Sequence, residues 1–155
     1  MKPRYAITLT TVMAATIVVL FLALGAYAHP TPPREHPAYL HALSDLRYAR
    51  ALLDRPDGGE LHQQEKDARH ELDRAIDEIK KASIDDGKDI NEHPPVDNHM
   101  PWGGRLHKAL ELIDSAHRDV AREEDDPAAI GLQHRALEHI DLARRHVREA
   151  IDLVR

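Results

Sequence analysis

The chain has 155 residues, no cysteine, six aromatic residues and a formal net charge of −6 with neutral histidine. This length bounds it to one globular domain, and the acidic balance argues against nucleic-acid binding. The lack of cysteine excludes disulfides and thiolate metal sites. With so few aromatic residues the core must be aliphatic and alanine-rich, which suits close helix packing better than a β-sandwich.

Residues 1–28 have the pattern of an export signal. Two basic residues precede a long apolar run, and Ala26-Tyr27-Ala28 supplies the small-x-small cleavage motif. We expect cleavage there, which makes the protein periplasmic or secreted with His29 as its first residue. The alternative is an uncleaved membrane anchor over residues 6–28, because about 20 apolar residues span a bilayer. Membrane contact is expected only through this segment.

A proline-rich lead over residues 29–37 is followed by four stretches with the apolar period of a helix. The predicted helices cover residues 38–53, 60–83, 105–123 and 126 to the C-terminus. The crossover over residues 84–104 contains three prolines and three glycines, too many for a regular element. Two helical hairpins joined by this crossover predict an all-α, antiparallel four-helix bundle over residues 38–155.

Three polar side chains fall within the apolar stripes. Arg50 and Glu65 lie about one turn from the bend between the first two helices, which predicts an internal salt bridge. A buried ligand or catalytic carboxylate at Glu65 is the alternative. His117 is expected as a core histidine held by a hydrogen bond. If it is buried in the neutral form, the fold should lose stability as the pH falls toward about 5.

The crossover carries one candidate metal site. His93, Asp97, His99 and Met100 lie within eight residues. Imidazole, carboxylate and thioether together suit copper, whereas nickel or zinc would use the set without the thioether. The alternative is a proline-rich linker packed over the end of the bundle, with Trp102 as its apolar plug.

The mature N-terminus is a second candidate. The α-amine and imidazole of His29 could chelate Cu(II) together, with His36 or His41 as a further ligand, although a histidine at this position can also be a coincidence. His139 and His146 share a flank of the fourth helix. Their spacing of two turns, about 10 Å, is too long for one metal ion bound at about 2 Å. We therefore expect both to be surface histidines.

The segments "HPAYLHALSDLRYARALL", "AIDEIKKASIDDGKDINEHPPVD" and "GRLHKALELIDSAHRDV" resemble a group of small exported bacterial helical proteins of unknown function. The likeness covers most of residues 37–151. It implies export and an all-α fold, and it implies no activity.

The sequence contains no nucleophile–base pair, paired-carboxylate signature or phosphate loop, so we expect no enzyme. Two functions stay open. One is a non-enzymatic bundle with a structural, chaperone-like or partner-binding role. The other is a protein that binds or buffers copper, zinc or nickel through its twelve histidines.

Overall fold

A computed structural model describes residues 37–54, 62–82, 87–122 and 127–154. They form the expected all-α bundle of four helices, which are α1 (Pro37–Leu52), α2 (Gln63–Ala82), α3 (Trp102–Val120) and α4 (Pro127–Leu153). None of these helices combines the length and apolar character needed to cross a membrane. The predicted export signal and most of the proline-rich lead lie outside the described residues.

Contacts between side chains fix the directions of the helices. The start of α1 meets the end of α3, where His41 contacts Asp119. The start of α3 meets the end of α1, where Arg105 donates to the carbonyl of Ala51 at 3.5 Å. These two helices are therefore antiparallel, as are the helices of each hairpin. It follows that α2 and α3 run in the same direction and that the crossover returns the chain along the bundle.

The largest interfaces join the two hairpins, α2 with α4 and α1 with α3. The core is aliphatic, as the composition predicts, and its largest fully buried apolar residues are Leu43, Leu46, Leu52, Leu53, Leu72, Ile76, Ile79, Leu106, Ile113 and Ile140. Ala42, Ala49, Ala109 and Ala116 are fully buried on α1 and α3. Small residues on both helices let the two backbones approach closely, and this brings polar groups at the edges of the interface within reach of each other.

The crossover is anchored on the side formed by α1 and α2. Lys80 donates to the carbonyl of Lys88 at 3.1 Å, and Arg50 donates to the Asn91 side chain at 3.2 Å. Ile90 and Val96 pack against the core from this segment. The crossover therefore packs on the bundle, as the linker alternative expects, but along its α1–α2 side and not over its end.

Helix α3 begins at Trp102, three residues earlier than the sequence predicts. Two glycines follow Trp102, and this pair predicts a continuation of the loop. Glycine costs a helix only about 1 kcal/mol relative to alanine, a penalty that side-chain contacts can outweigh. Trp102 fixes this start by donating from Nε1 to the Glu65 carboxylate at 3.2 Å.

Candidate metal site

Three potential metal ligands meet at the end of the interface between α1 and α3. His41 and Asp45 are one turn apart on α1 and therefore share a face of that helix. Asp119 reaches them from the last turn of α3, where its Oδ2 is hydrogen-bonded to Nδ1 of His41. The same Nδ1 lies 3.9 Å from Oδ2 of Asp45. One ligand atom from each residue falls within 4.8 Å of the other two.

The two carboxylates of the site are largely buried, whereas the imidazole is exposed to solvent. The side chains of Asp119 and Asp45 are 10% and 15% exposed, whereas that of His41 is 62% exposed. Asp119 also forms an ion pair with Arg122, whose Nη2 lies 3.0 Å from Oδ1. A solvated ion could thus approach from the histidine side and reach both carboxylates.

The electrostatics of the site favour a positive charge at His41. Its hydrogen bond to Asp119 and the charge of Asp45 raise the pKa of His41 above its usual 6.5. Burial and the charge of Arg122 oppose this rise. Protonated His41 is thus a cation that the two carboxylates stabilise. A divalent ion could take the place of its proton.

One imidazole nitrogen and two carboxylates are a ligand set for borderline divalent cations such as zinc and nickel. Ligand atoms about 2.1 Å from one ion are at most about 4.2 Å apart. The two contacts of His41 lie within this limit, but its hydrogen-bonded pair with Asp119 is closer than two ligands of one ion, so His41 and Asp119 must separate slightly to admit the ion. Water would complete the coordination on the open side.

His93, Asp97 and His99 of the crossover do not come together as a group of three ligands. Nδ1 of His93 donates to the carbonyl of Pro94 at 2.8 Å, and Oδ1 of Asp97 accepts the backbone N–H of His99 at 2.9 Å. Within the described residues, His41, Asp45 and Asp119 form the one group of at least three histidine or acidic ligands that come together. Both histidines of the crossover are exposed. Met100 lies against the first turn of α3, where a Cβ on Gly104 would meet its Cγ at 3.2 Å.

The terminal site can be followed only at its last member. His29 and His36 lie outside the described residues, and their part in a metal site stays a prediction. His41 lies within α1, where its neighbours are carboxylates. The sequence had suggested His41 only as an additional ligand for His29. It missed Asp45 and Asp119.

Glu65 is 1% exposed, and its contacts are structural. Oε2 accepts the backbone N–H of His62 at 2.9 Å, which closes the start of α2, and Oε1 accepts from Trp102. Arg50 is bonded elsewhere, with Nε 2.5 Å from the Asp73 carboxylate. The predicted Arg50–Glu65 salt bridge is therefore wrong in its pairing. Arg50 lies at the edge of α1, whereas Arg47 is the arginine that α1 buries, at 1% exposure.

His117 is half-buried at the edge of the α3–α4 interface. Its side chain is 29% exposed, and Nε2 lies 3.5 Å from Oδ1 of Asp141. This corrects the expectation of a core histidine, and with it the basis for a loss of stability in acid. His139, which we expected on the surface, is 19% exposed and pairs with Glu71 of α2 at 2.6 Å. Together with His41, these pairs place a histidine–carboxylate contact at three interfaces between helices.

The chain matches no protein-family model, no curated protein and no solved structure.

Proposed function

We propose that this chain is an exported, non-enzymatic helical-bundle protein that binds a divalent transition-metal ion between α1 and α3. The observation that supports this proposal is the convergence of His41, Asp45 and Asp119 within 4.8 Å. Two carboxylates supply the charge that balances a divalent cation, and the imidazole selects borderline ions over calcium and magnesium.

Zinc and nickel suit this site better than Cu(I), because the site offers no sulfur ligand. Cu(II) would also bind, since it heads the general order of affinities for nitrogen and oxygen ligands. The two helices carry the ligands on rigid backbone, so the site is preorganised apart from the rotation of His41. Its open side favours exchange of the ion with solvent.

A role in binding a protein partner has less support on the surface. Among the described residues, the exposed large apolar side chains are Leu40, Ile130, Leu153 and Val154. The first two lie near the starts of their helices and the last two near the end of α4, at the opposite end of the bundle. They therefore form no continuous apolar patch of the kind that marks an interface.

The test is a titration of zinc and nickel into the untagged protein by calorimetry. Wild type should bind one ion, and His41→Ala and Asp45→Asn should each weaken binding at least tenfold. The double variant His93→Ala/His99→Ala is the matched control, because it removes two imidazoles from the crossover and should keep wild-type affinity. Loss of binding in that control, with His41→Ala unchanged, would move the site to the crossover.

A fourth variant addresses the mature terminus. His36→Ala removes the imidazole nearest in sequence to the proposed site and outside the described residues. If zinc affinity falls only in His36→Ala, the ion is held by the terminal segment. If neither His36→Ala nor His41→Ala changes the affinity, the proposal fails.

A further inference from the structure

The carboxylate of Asp119 is shared between two cationic side chains. Its Oδ2 takes the hydrogen bond of His41, and its Oδ1 lies 3.0 Å from Nη2 of Arg122. The Asp119 side chain is 10% exposed, so the helix interface holds it in place. Arg122 is 70% exposed and follows the end of α3, so it can leave the carboxylate without disturbing the core.

A metal ion at this site would meet Arg122 as a like charge. A cation bound to Asp119 and a guanidinium paired with the same carboxylate would lie only a few ångströms apart, and they would repel each other. Binding of the ion must therefore either displace Arg122 from Asp119 or leave two positive charges close together.

We propose that Arg122 is an internal competitor of the metal ion, which neutralises Asp119 in the empty site and keeps the metal affinity low. This inference rests on the proposed metal-binding function. It defines the mode of regulation of that site: an ion exchanged against an arginine is bound reversibly, as buffering requires, and not retained as a permanent structural element.

The experiment compares zinc affinity in wild type, Arg122→Gln, Arg122→Lys and Arg118→Gln at low salt and in about 0.5 M sodium chloride. Arg118 is the matched control, since it is exposed in the last turn of α3, just before Arg122, and its loss changes the net charge by the same amount. Arg122→Gln should bind zinc about tenfold more tightly at low salt, as expected for removal of a nearby like charge. Arg122→Lys should stay near wild type.

Salt separates electrostatic competition from a structural effect. The advantage of Arg122→Gln should shrink in about 0.5 M salt, because exposed charges are then screened within a few ångströms. Equal affinities of wild type and Arg122→Gln would overturn the inference and leave the metal function standing. An equal gain in Arg118→Gln would also overturn it, as an effect of net charge alone. Absence of zinc binding in all four proteins would refute the metal function itself.

Discussion

Nδ1 of His41 and Oδ2 of Asp119 form a hydrogen bond that joins the second turn of α1 to the last turn of α3, across 78 positions of sequence. The bond ties one end of the interface, and the contact of Arg105 with the carbonyl of Ala51 ties the other. A pair at this place affects both the stability of the bundle and the occupancy of the proposed metal site.

The first prediction concerns stability above neutral pH in the metal-free protein. The pKa of His41 is raised in the fold from its usual 6.5, chiefly by the hydrogen bond to Asp119. Its contribution is therefore complete below about 6.5 and is lost as the pH rises through the folded value. Melting curves in the presence of a chelator should show this decline for wild type and a smaller one for His41→Gln.

The control for that experiment is His107→Gln, which removes an exposed histidine of α3. It should keep the wild-type decline. If His41→Gln and wild type lose stability in parallel from pH 6 to pH 9, the pair contributes nothing to the pH dependence.

The second prediction concerns stability in acid and its dependence on Glu78 of α2. Burial raises the pKa of Glu78, but hydrogen bonds from Arg135 and Lys81 outweigh burial and hold it below its usual 4.5. A carboxylate with a lowered pKa contributes stability above its unfolded value, and that stability is lost as the pH falls through the folded value. Glu78→Gln should therefore unfold at a lower temperature than wild type at pH 6, and the difference should narrow by pH 3.

Variants of Arg135 and Lys81, the two cationic partners of Glu78, test the same explanation. Arg135 lies 2.9 Å from the Glu78 carboxylate and joins α2 to α4, whereas Lys81 belongs to the same helix as Glu78. Arg135→Gln should reproduce most of the effect of Glu78→Gln, and Lys81→Gln should have a smaller effect. If Glu78→Gln lowers the melting temperature by the same amount at pH 3 and at pH 6, the ionised carboxylate of Glu78 is not the cause of the difference.

The fold could be predicted from the sequence because helix periodicity is a local property. Each apolar stripe lies within about 20 residues, and proline and glycine mark the connections. The inward position of Glu65 could be derived in the same way. Arg47 could not, because an arginine four residues after Leu43 is read as the polar edge of a stripe, although the aliphatic part of its side chain can lie in the core.

The candidate site could be predicted only in part, since its members come from distant segments. His41 and Asp45 have the spacing of neighbours on one helix face, and that signal was present in the sequence. Asp119 can be added only when the pairing of α1 with α3 is known. The sequence instead emphasised the dense cluster at His93 and His99, where closeness in sequence did not become convergence in space.

The third prediction tests Glu65 as a structural carboxylate. It is 1% exposed and accepts hydrogen bonds from His62 and Trp102. Removal of this acceptor breaks two partly buried hydrogen bonds to a charged group, which costs about 1–3 kcal/mol in the free energy of unfolding. Glu65→Ala should show this loss in urea unfolding, with a shift in the emission of Trp102. Glu65→Gln should retain most of the stability, because its amide oxygen can still accept. Equal stabilities for Glu65→Ala and wild type would show that the contacts contribute little.

The last prediction links metal binding to the stability of the bundle. His41 and Asp45 belong to α1 and Asp119 to α3, so an ion bound by all three holds two helices together only in the folded state. A ligand that binds the folded state alone adds about 2.7 kcal/mol to the free energy of unfolding at a hundred times its dissociation constant. Zinc should therefore raise the melting temperature of wild type, and a chelator should reverse the rise.

Two variants and the pH test where the ion binds. Asp45→Asn should lose most of the rise in melting temperature, while His93→Ala/His99→Ala should keep it. The rise should also be larger at pH 7.5 than at pH 5.5, because a proton on His41 competes with the ion. If Asp45→Asn keeps the full rise in melting temperature, or if the rise is larger at pH 5.5, the ion binds away from the α1–α3 interface.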